Sequence, residues 1–272
     1  WSSQTAVPTN MCCHAGSGTQ NDFFIAGGQP GAVATNLTWN GTTWIATSTL
    51  NNGVRDASGA GDSEEAILYG GRSAAPGNTT QCRTEKWNGT TWSNDVKLPI
   101  ATGIGGQAGT ANAASMISGY QSSSPYGIRD HQFYTTTQDI DSSIPYCLAQ
   151  FSTGGNMNVA RGTLNGLGTP SSALAMGGYI NAYNACTEEY NGSAWATATA
   201  MPVSRGLGFT GGTQNAAYFA GGIEGGTVRN CGIEYDGSSW TAAGNLITAR
   251  FGGDSTVGTQ NAGFAATGYS SG

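Results

Sequence analysis

The sequence predicts an all-β fold made from one four-stranded antiparallel unit repeated around a circle, and three observations carry that prediction. Trp1, Trp44, Trp92, Trp195 and Trp240 recur at intervals of about 45 residues, with one interval doubled. The turn phrase GTQN returns at residues 18–21, 212–215 and 258–261, with weaker versions at 61–64, 109–112 and 168–171. Glycine supplies 44 of 272 residues and charged side chains only 10%, which suits short strands and tight turns and leaves little for amphipathic helices. A period of about 48 residues holding four strands is that of a blade in a β-propeller.

The elements of a unit follow in order from the residues. A Gly-rich first strand runs into the GTQN turn. A short apolar second strand comes next and closes in diglycine or its remnant, as in DFFIAGG (22–28), EAILYGG (65–71), AASMISGY (113–120), SALAMGG (172–178), AAYFAGG (216–222) and AGFAATGY (262–269). Diglycine fits a place where the backbone turns without a Cβ. After a variable loop, the third strand (TEEY in its clearest form) leads through Asn-Gly or Asp-Gly to a fourth strand opened by Trp. These pairs favour two-residue type I′ hairpins, so YNGSAW (190–195) and YDGSSW (235–240) predict tight links. The rings on either side are expected to fill the space between blades.

Five units are complete, at about 9–50, 54–99, 101–152, 158–202 and 204–247. The sixth, 249–272, stops after its second strand near Gly268, and WSSQTAV at the N-terminus reads as an orphan fourth strand. The expectation is therefore one domain, 1–272, forming a six-bladed propeller whose last blade is 249–272 plus 1–8 and lacks one strand. Closure by the N-terminal strand removes open sheet edges. The absent strand comes from beyond residue 272, from another chain, or not at all; a slice from a longer array is the alternative. Beginning at Trp1 without Met or signal peptide, the chain reads as processed, trimmed or incomplete.

Four diglycines (Gly27-Gly28, Gly70-Gly71, Gly177-Gly178, Gly221-Gly222) accompany aromatic residues at Trp39, Trp87, Tyr190 and Tyr235. Arg55, Arg161, Arg205 and Arg250 open first strands. In these residues the sequence resembles the kelch repeat family. The wording GTQNAAYFAGG…IEYDGSSW is similar to kelch-like arrays of marine phage and bacterial surface proteins. The resemblance covers nearly the whole chain and implies a kelch-like β-propeller. It implies no single function, since such propellers include enzymes, adaptors and structural proteins.

Composition excludes several classes. A net charge of −6, with only Lys86 and Lys97 as lysines, argues against nucleic acid. No run of about 18 apolar residues exists to insert in a membrane. Cys12, Cys13, Cys82, Cys147, Cys186 and Cys231 lack zinc-site spacing. They read as small buried thiols or as disulfides of an extracellular or virion-borne protein, with pairing left open.

The two histidines, His14 and His131, fall in different units, and no nucleophile elbow follows a strand. A kelch-type copper oxidase site, with two His, Tyr ligands and a cross-linked Cys, is not expected from them. Sialidase boxes fail because the Asp of YDGSSW directly precedes Gly. The carboxylate pairs Glu64-Glu65 and Glu188-Glu189 fall on opposite faces of a strand. The chain is expected to be no enzyme and to need no cofactor and no metal. Of the sequons at Asn36, Asn40, Asn78, Asn88 and Asn191, the Asn-Gly turns already explain Asn40, Asn88 and Asn191.

Binding is the better-motivated role. GTQN turns agree among units, whereas the second-to-third loops (29–34, 72–81, 121–131, 179–185, 223–230) vary, as a recognition rim on a rigid scaffold would. The third unit expands its loop within residues 120–146 and brings together Tyr126, Arg129, Asp130 and His131. Arg72, Tyr183 and Arg229 complete the candidate binding residues on neighbouring loops. The expected function is an extracellular or virion-surface attachment module that recognises a host surface glycan or protein. A structural subunit contacting neighbouring subunits of a virion or filament is the alternative, and a kelch-type enzyme the remaining one.

Overall fold

Alternation along the second strands decides how the molecule is built. In β2 (Asp22–Ala26), Phe23 and Ile25 face one side while Phe24 and Ala26 face the other, and all four are buried. A strand covered on both faces lies in a sheet packed between two others. The computed structural model, which describes residues 1–74, 77–122, 127–138, 147–252 and 255–270, is such a ring of radial sheets.

The first blade comprises β1 (Ala15–Thr19), β2, β3 (Asn36–Trp39) and β4 (Trp44–Ala46). The second holds β5 (Ser58–Gly61), β6 (Ala66–Tyr69), β7 (Thr84–Trp87) and β8 (Trp92–Asn94). The third is the longest, with β9 (Gly106–Thr110), β10 (Ala113–Tyr120), β11 (Gly127–Gln138) and β12 (Cys147–Thr153). In the fourth, a small hairpin of β15 (Tyr179–Ile180) and β16 (Ala182–Tyr183) interrupts β13 (Asn165–Thr169), β14 (Ser172–Met176), β17 (Thr187–Tyr190) and β18 (Trp195–Ala198). In the fifth, β21 (Ile223–Glu224) and β22 (Thr227–Val228) do the same within β19 (Phe209–Thr213), β20 (Ala216–Ala220), β23 (Gly232–Tyr235) and β24 (Trp240–Ala243). Every blade is an antiparallel meander, and no helix occurs among the described residues.

The structure corrects the expected six-bladed propeller: it has five blades, the five units read as complete. The sixth sector holds β25 (Arg250–Phe251), β26 (Ser255–Thr259), β27 (Ala262–Gly263) and β28 (Tyr269–Ser270). Its inner strand β26 lies parallel between β1 and β19 and so zips the hub shut. Residues 1–7 form no strand, contrary to the expected N-terminal closing strand. A fourth strand needs a third to pair with, and none lies beside it among the described residues.

Six apolar clusters fill the six gaps between sectors. Between the first two blades, Phe24 and Val54 meet Leu68, Trp87 and Trp92. Phe23, Ile25 and Trp39 meet Val257 and Phe264 of the sixth sector. The other gaps bury Tyr69 with Met116 and Tyr134, Ile117 with Tyr190 and Trp195, Leu174 with Phe219 and Tyr235, and Phe209 with Tyr218 and Leu246. Each such side chain contributes about 1.5–3 kcal/mol by leaving water. The expected packing of turn aromatics between blades is what the structure has.

At one end of the hub the main chain closes a ring of its own. Cys13, Asp56, Ile104, Thr163 and Leu207 adopt φ between 53° and 57°, and Gly252 takes the matching place at 78°. Each donates its N–H to the carbonyl of the corresponding residue in the neighbouring sector, at 2.7–3.2 Å. The six bonds form a closed cycle around the axis.

Candidate functional site

Chain direction separates the two ends of the propeller. The GTQN-type turns and Asn-Gly loops share one end. The opposite end carries the second-to-third loops, the links between blades and the backbone ring.

On the first end the loops are uniform. Trp39 pairs with Trp44, leaving Asn40-Gly41-Thr42-Thr43 as a four-residue connection, so the expected two-residue type I′ turn is not formed. Only Gly41 has positive φ, at 90°. Asn40 keeps a negative φ, and its Oδ1 closes the loop, accepting from the N–H groups of Thr42 (3.1 Å) and Thr43 (2.9 Å). Asn88, Asn191 and Asp236 repeat this arrangement. The four donors hold the Asp236 carboxyl well below its ordinary range. These groups are committed to holding hairpins. A cavity of about 140 Å³ opens at this end of the axis, lined mostly by glycines such as Gly18 and Gly212.

The second end is different in each sector. The residue following each diglycine or its remnant bridges antiparallel to the incoming link, which places Gln29, Arg72, Tyr120, Tyr179, Ile223 and Tyr269 at equivalent positions around the backbone ring. Neighbours touch: the Arg72 guanidinium lies 5.5 Å from the Tyr120 ring centroid, and Tyr269 Oη donates to Gln29 Oε1 at 3.1 Å. Tyr179 and Tyr269 are about half exposed. Tyr183 meets Tyr179 edge to face at 5.2 Å, and Ile180 at the tip of the same hairpin is exposed. The sequence reading missed Tyr179, Tyr120 and Tyr269, although each stands directly after the glycine that ends its apolar strand.

The residues singled out from sequence fare unevenly. Arg72 joins this rim, its Nε donating to Asp56 Oδ2 at 2.8 Å and its Nη2 lying 2.6 Å from the same oxygen. Tyr183 is on the rim beside Tyr179, and Arg229 is held by Glu224 at 2.6 Å. Arg129 is exposed and Asp130 half-buried on β11. Tyr126 lies outside the described residues.

His131 does not belong with them. It is fully buried beside Phe133, Tyr190 and Trp195, at centroid distances of 4.1, 4.7 and 5.2 Å. Burial lowers its pKa to about 3. Strand alternation explains the error: β11 runs through the segment read as loop, and His131 pairs opposite Ile117 on the inward face.

The other polar groups of note are structural. Arg161 and Glu188 form a buried pair at 2.5 Å, while Glu189 faces the next blade and accepts from Tyr235 Oη at 2.8 Å. The two glutamates thus fall on opposite faces, as alternation requires. Arg55 sits one position later than Arg161 and Arg205, pairing its main chain with Arg72, so it is not their equivalent. Arg83 supplies the partner of the second blade's buried Glu85 instead. Cys12, Cys13, Cys82, Cys186 and Cys231 are free thiols. Cys12 and Cys13 touch, Sγ to Sγ 3.3 Å, and the Cys13 contact lowers the Cys12 pKa to about 7. Asn36 is buried, so that sequon offers no exposed amide. No cluster of three potential metal ligands occurs among the described residues.

Between the first and fifth blades a cleft of about 1180 Å³ occupies the incomplete sector, bounded by Trp1, Gln20, Trp44, Tyr218, Glu234 and Phe264.

Radial four-stranded sheets around a glycine-lined axis define a β-propeller. No family model and no curated protein matches the sequence. Solved structures do match the fold: that of YjhT superposes with a TM-score of 0.72 over 93% of this chain and 89% of that one, at 14% sequence identity.

Proposed function

We propose that the chain is a non-enzymatic attachment module of the kelch-like type, acting outside cells or on a virion, that holds a host surface glycan or protein against the end carrying the backbone ring. The observation that carries this reading is the rim itself. Six equivalent positions on a rigid ring are filled by Gln29, Arg72, Tyr120, Tyr179, Ile223 and Tyr269, while the equivalent loops at the other end are nearly identical. Tyr120 beside Arg72, with Tyr179 and Tyr269 exposed on the same ring, offers flat faces and directed donors, a combination suited to sugar rings and to protein hot spots. Arg129 and Asp130 extend the surface outward on the third blade.

The kelch assignment is supported by the diglycines and by the buried Arg–Glu pairing behind the third strands. A net charge of −6 speaks against nucleic acid. No described helix is long and apolar enough to cross a membrane.

The test is a glycan array and a host-cell binding assay with purified protein, repeated with Tyr179→Ala and Arg129→Ala. Loss of binding on Tyr179→Ala with an unchanged melting temperature is expected. Binding unaffected by rim substitutions, or stable self-association through this end, would favour the structural-subunit alternative.

A further inference from the structure

The backbone ring carries two side-chain positions in each sector, one on the ring residue and one on the residue before it. In five sectors these are Arg55-Asp56, Gly103-Ile104, Gly162-Thr163, Gly206-Leu207 and Phe251-Gly252. The first sector fills both with thiols, Cys12 and Cys13. An extended backbone would send neighbouring side chains to opposite faces. The left-handed φ of 57° at Cys13 takes the chain out of that conformation, and the two sulfurs meet at 3.3 Å, Cys13 Sγ donating to Cys12 Sγ. No other pair of thiols touches among the described residues.

The main chain fixes the pair in place. Cys12 O accepts from the Gln29 N–H at 2.9 Å, Cys13 N–H donates to Gly252 O at 3.0 Å, and Cys13 O accepts from the Asp56 N–H at 2.7 Å. The two sulfurs differ in chemistry. Cys12 is buried, and the Cys13 contact, joined by the Tyr269 hydroxyl, lowers its pKa to about 7. A substantial share of Cys12 is then thiolate at neutral pH, the form that attacks a disulfide. Cys13 is only half-buried, which leaves it within reach of a small reagent.

We propose that Cys12 and Cys13 are a redox-active dithiol, which a low-molecular-weight disulfide converts reversibly to a bridge between the two neighbours. Cys13, the more accessible sulfur, attacks the small disulfide and releases its first thiolate. The Cys12 sulfur then attacks Cys13 Sγ and releases the second. The two protons shed by the cysteines go to the two departing thiolates, so one disulfide forms for each one consumed. Adjacent Cα atoms lie about 3.8 Å apart across a trans peptide, below the ordinary disulfide range of about 4.4–6.8 Å. The bridged form is therefore strained and easily reduced, which is what makes the site reversible. The strain falls on the peptide whose N–H closes the backbone ring onto Gly252, so oxidation loosens the junction of the first blade with the last sector.

The test treats the purified chain with oxidised glutathione and blocks the remaining thiols with N-ethylmaleimide. Mass spectrometry then reads the tryptic peptide ending at Arg55, which holds these two cysteines and no other. That peptide is expected to lose two hydrogen atoms, to take no maleimide and to carry no glutathione, and dithiothreitol should restore both thiols. In Cys12→Ser the second attack cannot occur, so glutathione should stay on Cys13. Amide exchange at Cys13 should rise on the order of tenfold in the oxidised chain. A stable glutathione adduct on the parent peptide, or two maleimides on it after treatment, overturns the proposal. An unmodified Cys13 in the Cys12→Ser variant overturns the order of attack, and unchanged exchange at Cys13 overturns the loosening of the ring.

Discussion

The backbone N–H of Cys13 donates to the carbonyl of Gly252 at 3.0 Å and so joins the first blade to the last sector. This bond completes the cycle of six, and it forms only because each member holds a left-handed conformation. For L-residues that conformation costs about 1–2 kcal/mol, and a β-branched side chain bears it worst. Ile104, at φ 53°, is such a residue, whereas Gly252 meets the same demand without a Cβ.

Ile104→Gly should therefore leave the ring intact and relieve strain. The flexibility of glycine in the unfolded chain offsets about 0.5–1 kcal/mol, so a net gain of up to about 1 kcal/mol is expected. Urea denaturation would measure it. A loss of more than about 1 kcal/mol would mean that Ile104 packing outweighs its backbone strain.

Arg161 and Glu188 are both essentially solvent-free, and Glu188 also accepts from the N–H groups of Asn158 (2.7 Å) and Val159 (3.3 Å). Glu188→Ala strands a buried guanidinium and should cost roughly 3–5 kcal/mol. Replacing both partners, as Arg161→Met with Glu188→Leu, should cost markedly less. A double-mutant cycle by thermal unfolding checks the difference. Equal losses in single and double variants would show that the pair's volume matters more than its charge.

Near the other end of the axis, Gln107 ties three blades together. Its Oε1 accepts from Gly59 N–H at 2.6 Å and its Nε2 donates to Gly16 O at 2.5 Å, with the side chain buried. Both partners are main-chain groups of inner strands where the surrounding positions are mostly glycine. Gln107→Ala leaves a buried donor and acceptor unpaired and should destabilise by about 2–4 kcal/mol. Amide exchange at Gly59, read by NMR, should accelerate in step. Unchanged exchange would place the Gly59 partner elsewhere.

Much of this was legible in the residues, and the failures share a physical form. Trp spacing and GTQN marked the blades because each repeats one local geometry. Blade closure was misjudged because Trp1–Val7 carries a strand's side chains without a ladder partner, and pairing is not a local property. The Asn-Gly turns were misassigned for the converse reason: the side chain of Asn40 closes a loop that propensity alone assigns to backbone. His131 was read as a loop residue because Ser, Pro and Gly around it signal turns, yet β11 starts at Gly127 and carries it inward. Of the rim, the sequence singled out Arg72 but not Tyr120, Tyr179 and Tyr269, because the equivalence of these positions is set by bridges between distant segments, such as Gly162 with Tyr179.

Two buried imidazoles set the response to acid. His14 is fully buried, its Nε2 against the Thr267 hydroxyl, and burial lowers its pKa to about 4; that of His131 falls to about 3. Unfolded imidazoles titrate near 6.5, so below that pH the unfolded chain binds protons that the folded chain refuses. Stability is thus complete above about pH 6.5 and drains as pH falls toward 4, by several kcal/mol in total at about 1.4 kcal/mol per unit of pKa difference. Both ring nitrogens of His131 lack hydrogen-bond partners among aromatic neighbours, so His131→Phe keeps the packing and removes its share of the loss. The variant should match the parent at pH 7.5 and melt higher at pH 4.5, with the residual slope belonging to His14. Parallel melting curves for the two proteins across this range would mean that His131 gains a proton in the folded state and is not held neutral by its surroundings.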